Sequence, residues 1–157
     1  MTTATLERTD TASRGGEVYV TLSVAGQLCG VPVLGVRDIL AEQPITRIPL
    51  APPDIAGSLN LRGRIVTAID LRTRLTLPPG EPGTKRMSVV VEQGGELYAL
   101  LVDQVAEVLS LEADLFERNP PTLEAHWAAF SSGIYRLDGR LLVILDIARL
   151  LDFSNAH

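Results

Sequence analysis

Two blocks of this 157-residue sequence occur twice, and that duplication restricts its fold more than any other feature. "GQLCGVPVLGVRDIL" (26–40) lies on "GELYALLVDQVAEVL" (95–109) at an offset of 69, matching Gly26/Gly95, Leu28/Leu97, Val33/Val102, Val36/Val105 and Leu40/Leu109, with Asp38 meeting Glu107. "GSLNLRGRIVTAIDLRTRL" (57–75) lies on "GIYRLDGRLLVILDIARLL" (133–151) at an offset of 76, matching Gly57/Gly133, Leu61/Leu137, Gly63/Gly139, Arg64/Arg140 and Asp70/Asp146. A seven-residue insertion between the blocks accounts for the change of offset. Two copies are too few for a solenoid. They predict two similar lobes of short strands with Gly and Pro turns, which suggests a pair of small β-barrels.

Local patterning agrees. "VYVTLSV" (18–24) alternates apolar and polar residues with β-branched side chains, the mark of a half-buried strand. "MSVVVEQGGELYALLV" (87–102) repeats that scheme around a Gly94-Gly95 hairpin signal. "PLAPPD" makes a loop, and "LPPGEPGTK" (77–85) separates the halves. Residues 1–16 are small and polar and read as a flexible tail. The domain then runs over 17–153, with lobe one about 17–79 and lobe two about 87–152; strands can be exchanged between them. Helical signals are confined to "TLEAHWAAF" (122–130), with Thr122 as N-cap, and to the short tails that follow Asp70 and Asp146. Each aspartate is expected to cap a helical turn.

Composition narrows the function classes. A net charge of −5, with one lysine (Lys85) against 13 arginines and few aromatics, argues against a nucleic-acid surface. A lone cysteine, Cys29, excludes an internal disulfide framework and fits a reducing compartment, where it packs as a small apolar group. No secretory signal and no stretch of about 20 apolar residues is present, so the chain reads as cytosolic, without membrane insertion.

Catalytic machinery is not evident. Two histidines, His126 and His157, lack the companions of a zinc site. Ser131, His126 and Asp146 form a triad only on paper, without a GxSxG elbow. "GSLNLRG" lacks the lysine and following helix of a phosphate loop, and nothing places Asp38 and Glu107 face to face as a glycosidase pair. One mismatch between the copies remains. "RLDGRLL" reads as a tight hairpin, with Asp138-Gly139 supplying the positive φ of a type I′ turn, whereas the first copy carries Arg62. A longer turn with only Gly63 at positive φ would accommodate that arginine, and both a plain solvated arginine and a binding arginine are open. Two lobes with a cleft and no reactive set point to an adaptor.

"PLAPPDIAGSLNLRGRIVTAIDLRTRL" resembles the signature of the CheW family, the bacterial chemotaxis coupling proteins: a proline-punctuated loop, G-x-x-N-x-R-G, then a strand closing in I-D-L. "GVRDIL" resembles its V-x-E-I element, with Asp38 in place of glutamate, and "LLVDQVAEVL" its V-D-x-V-x-E-V element. The likeness runs from about 17 to 152; Thr67 and "FSSG" depart from the usual pattern. It implies an all-β fold of two five-stranded SH3-like barrels about a shared hydrophobic seam, with a few short helical turns. It implies a non-enzymatic scaffold without cofactor or metal. That scaffold would join chemoreceptor (methyl-accepting chemotaxis protein) tips to the histidine kinase CheA, beside other CheW-like domains in rings at the inner face of the membrane. Its receptor- or kinase-binding positions would be Val36, Asp38, Gly57, Asn60, Arg62 and Gly63 in the first lobe, and Val102 and Val105 on the wall of the second. For the valines, core packing competes with contact. The same domain serving surface motility or second-messenger output is the neighbouring alternative, and a small-barrel nucleic-acid binder a remoter one.

Overall fold

The computed structural model describes residues 16–81 and 83–153. The proposed tail lies outside them except for Gly16, which begins the first strand. Ten strands follow in order: β1 Gly16–Val24, β2 Gln27–Pro32, β3 Val36–Leu40, β4 Ile55–Leu61, β5 Arg64–Asp70, β6 Met87–Gln93, β7 Glu96–Val102, β8 Gln104–Glu112, β9 Ser131–Leu137 and β10 Arg140–Leu145. Three four-residue helices, α1 Leu71–Arg74, α2 Ala125–Ala128 and α3 Ile147–Leu150, interrupt them.

The strands form two five-stranded sheets, ordered β8-β1-β2-β10-β9 and β3-β6-β7-β5-β4. Replacing each strand of the first sheet by its repeat counterpart reproduces the order of the second. Registers obey the same relation: β10 runs parallel to β2 with Val143 opposite Cys29, and β5 runs parallel to β7 with Thr67 opposite Tyr98. Each sheet nevertheless combines pieces of both repeats. The central barrel (β3–β7) sets β3, β4 and β5 of the first repeat on β6 and β7 of the second, and the terminal barrel (β1, β2, β8–β10) does the reverse. The chain crosses between sheets through a 3-10 turn at Val33–Gly35 and, at the equivalent point, through Asp103 alone.

Three apolar clusters follow from this arrangement. Tyr19, Tyr135, Leu142 and Ile144 fill the terminal barrel, with the two tyrosine rings edge to face at 5.5 Å. Smaller residues, Leu59, Val66, Ala68, Val90, Ala99 and Leu101, fill the central one. The seam between them is the largest cluster and includes Leu22, Cys29, Ile69, Leu71, Leu100, Val102, Trp127 and Leu150. Burial pushes the Cys29 thiol well above its usual range, which keeps it a neutral packing group.

Gly57 and Gly133 occupy equivalent places for one reason. A Cβ on Gly57 would stand 2.2 Å from the Thr46 carbonyl oxygen, and one on Gly133 2.2 Å from Cζ of Phe116. Each lets a loop cross its strand, through the Thr46–Ser58 and Glu117–Ile134 bridges. Their φ values of 150° and 158° also disfavour any side chain.

The aspartate caps form as expected: Asp70 accepts from the amides of Arg72 and Thr73, and Asp146 from that of Arg149. Thr122 does not cap α2. That helix begins only at Ala125, behind Glu124, without a side-chain cap, because Pro120 and Pro121 hold the preceding chain in turns.

Candidate functional site

The β4–β5 hairpin is closed by two residues, Arg62 and Gly63, at φ 51° and 86°. Both central positions are therefore left-handed, as a type I′ turn needs. The turn is shorter and more demanding than the one expected from the sequence. Its counterpart corrects the other half of that expectation: in Asp138-Gly139 only the glycine, at φ 74°, is left-handed. The arginine, then, occupies the backbone region that L-residues enter at a cost of roughly 1–2 kcal/mol. Two side chains hold it there. Asn60 Oδ1 accepts from the Gly63 amide at 2.8 Å, and Arg62 Nη1 donates to Asp38 Oδ2 at 2.7 Å.

Because Asp38 lies on β3 and Arg62 on the β4–β5 tip, this ion pair links the two edges of the central sheet. The second carboxylate oxygen of Asp38 accepts from the Ile39 amide at 2.9 Å. The Arg62 hydrogen bond, aided by that amide, holds the Asp38 carboxyl below the usual aspartate range. The Arg62 side chain is 75% exposed, so much of its guanidinium fork faces solvent. Ile65, paired with Asn60 across the hairpin, is 70% exposed and borders a depression of about 390 Å³ shared with Pro44, Thr46 and Ser58.

The eight candidate positions thus separate. Asp38, Asn60, Arg62 and Gly63 come together at the tip. Gly57 is buried beneath the Thr46 loop and shapes that surface without being on it. Val36 and Val105 are half-buried against the seam. Val102 has no exposed surface, so of the two roles left open for it, wall contact and core packing, the structure shows the packing one. The hydrophobic seam claims it because β7 is an inner strand, paired on both sides.

Among the described residues, which exclude His157, no catalytic set assembles from the other candidates. Ser131 is buried and bonded to Asn119, His126 pairs with Glu124 at 3.0 Å, and Asp146 caps α3. A cleft of about 640 Å³ beside the linker is lined by Asp70, Arg72, Arg86 and Asp103 among others, but these satisfy one another. Arg72 grips Asp103 through Nε at 3.2 Å and Nη2 at 2.7 Å, and Arg86 meets Asp70 at 3.1 Å. Asp103 also accepts from the amide of Ala25, another left-handed turn residue. Sequence reading missed both this clamp and Ile65. A signal was available for the clamp: Arg72 and Asp103 fall opposite Ala148 and Leu34 in the other copy.

Comparison with known proteins agrees with this geometry. The family model of the CheW-like domain matches residues 18–154. The chemotaxis protein CheW of Bacillus subtilis is 29% identical over 142 residues, covering 90% of this chain and 91% of that protein. Protein PilI of Pseudomonas aeruginosa is 28% identical over 120 residues, covering 76% and 67%. Among solved structures, the scaffolding protein TtCheW from Thermoanaerobacter tengcongensis superposes with a TM-score of 0.78 at 30% identity, over 88% of this chain and 94% of that one. Two SH3-like barrels around a common seam, and a family match across nearly all the described residues, lead to one conclusion: this chain belongs to the family of CheW-like domains.

Proposed function

We propose that the chain is a non-enzymatic adaptor that couples the cytoplasmic tips of chemoreceptors to the histidine kinase CheA, working at the inner face of the membrane. The observation that carries this reading is the divergence of the two hairpin tips. One copy holds a left-handed arginine, anchored by Asp38 and left largely in solvent; the other holds Asp138. A strained cationic tip beside an exposed isoleucine is costly for folding alone and suited to recognition. Asp38 occupies Nη1, so the outer N–H groups remain for a partner's carboxylate or backbone carbonyls. Charge in that position sets register and encounter, while apolar contact at Ile65 supplies affinity. Val36 and Gly57 act from beneath, on β3 and β4, the strands beside the tip, while Val102 and Val105 pack in the seam. Among the described residues no helix is long and apolar enough to cross a membrane.

The test is reconstitution. The purified chain should sediment with membranes only when these carry chemoreceptors, and CheA should follow it into the pellet. Sedimentation that ignores receptors, or CheA that pellets equally well without the chain, overturns the reading. A second reading is the same scaffold in an array with another output, since the family match alone does not fix which array a CheW-like domain serves. In that case the chain would pellet with the receptors and kinase of that array and not with those of chemotaxis.

A further inference from the structure

We propose that residues 146–153 form a strap across the seam that opens independently of the barrels, with Arg74 as its latch. Arg74 ends α1 in the first repeat, and its side chain is only 9% exposed. Nε donates to the carbonyl of Leu150 at 2.7 Å, and Nη2 to those of Arg149 and Asp152 at 3.2 and 3.0 Å. Nη1 meets the Asp54 carboxylate at 3.3 Å. The guanidinium carbon lies over two rings, 4.9 Å from the Phe130 centroid and 4.5 Å from that of Phe153. One side chain therefore binds the carbonyl end of α3, the residues after it, and two aromatic rings.

α3 cannot hold itself in place. A helix of four residues lies far below the length at which helical hydrogen bonding sustains itself, and its last carbonyls have no partner within the helix. The segment's own docking contacts are few: Leu150 and Leu151 enter the seam beside Leu71, Leu75 and Trp127, Ile147 packs at its edge, and Arg149 Nη1 donates to the Ser131 carbonyl at 3.2 Å. Arg74 adds what the helix lacks, acceptor satisfaction at its carbonyl end and a cationic surface for Phe153. The repeat shows that this is an addition to the basic fold: the position equivalent to Arg74 in the second copy is Leu150, an apolar seam residue. Where α3 packs by a leucine, α1 reaches across with an arginine. Release of the latch lifts a short segment with its own hydrogen bonds, Leu150 to Asp146 and Leu151 to Ile147, hinged where the Asp146 amide donates to the Phe130 carbonyl, and uncovers the seam beneath.

Hydrogen exchange on the whole chain, read by mass spectrometry, tests this with Arg74→Leu and Phe153→Ala. Arg74→Leu should speed exchange of the 147–152 amides by about tenfold or more, and Phe153→Ala by several-fold, because each removes a contact that exists only in the closed strap. Amides of β6 and β7 should keep the parent rate in both. Phe153→Ala leaves the arginine and its acceptors intact, so it decides the matter even if Arg74→Leu fails to fold. Unchanged exchange at 147–152 in Phe153→Ala, or equal acceleration of strap and barrels, overturns the proposal.

Discussion

The β4–β5 and β9–β10 hairpins have the same two-residue connection, the same trailing glycine and the same ladder into a parallel neighbour, yet their tips differ in backbone and charge. Arg62 is left-handed and paired with Asp38; Asp138 is not left-handed, and the residue matching Asp38 in its barrel is the exposed Glu107. What the two copies share is what the fold needs: a glycine under a crossing loop and an aspartate at the start of a helical turn. What they do not share are three cationic side chains. Arg62, Arg72 and Arg74 face Asp138, Ala148 and Leu150, and each of these arginines makes a contact its counterpart cannot. A duplicated fold thus separates folding parts from acquired parts within a single molecule.

The largest expected effects lie on the shared side of that division. Gly57→Ala and Gly133→Ala should each cost about 3 kcal/mol or more, since a methyl would overlap neighbouring atoms at an unfavourable φ. Gly57 should suffer more, because it meets a backbone oxygen, while Gly133 meets first a ring that can shift. Urea denaturation checks the order; a tolerated Gly57→Ala would break the equivalence.

Next come the crossovers. Asp103→Asn should cost about 2 kcal/mol by loosening a charge-assisted grip that also steadies Ala25. At the matched position Leu34→Ala should stay within about 0.5 kcal/mol, since Leu34 is 86% exposed. Burial works against the charge of Asp103, but Arg72 and the Ala25 amide outweigh it and hold the carboxyl below its usual range. With a lowered folded value, its contribution is complete above about pH 4 and lost as pH falls through the folded pKa. Stability measured from about pH 5 down to about pH 2 should therefore fall less in Asp103→Asn than in the parent. An identical acid limb would remove Asp103 from the account.

The smallest effect is the most discriminating. At position 62, Gly should be more stable than Ala by about 1 kcal/mol, because both lose the ion pair and only Ala keeps a Cβ in the left-handed region. At position 138, Gly should gain nothing over Ala and lose a few tenths through chain entropy. Calorimetry of the four variants compares the turns directly, and the same sign at both positions would contradict the difference between them.

Much of this could be read from the sequence, and the failures have a physical pattern. Period-two alternation marked β1 and β6, Gly94-Gly95 marked a hairpin, and Asp70 and Asp146 announced their caps, because those signals act over a few residues. The assignment of strands to sheets was not legible, since β2 and β3 are separated by only three residues and yet belong to different barrels. Val102 was assigned to a wall through the family resemblance with core packing left open, and its burial falls on the packing side. The Asp138 turn misled because Asp-Gly permits a left-handed pair and does not require it. Arg62 was found by comparing the copies, and the same comparison at 72 and 74 would have found the clamp and the latch.

The proposed reading has one hairpin tip, and not its twin, meet the partner. Its most direct test measures the affinity of folded Arg62→Ala and Asp138→Ala for chemoreceptor-bearing membranes in the presence of CheA. Arg62→Ala should bind at least about tenfold more weakly than the parent, with Asp138→Ala unchanged. Equal binding by all three proteins, or an equal loss in both variants, would contradict it.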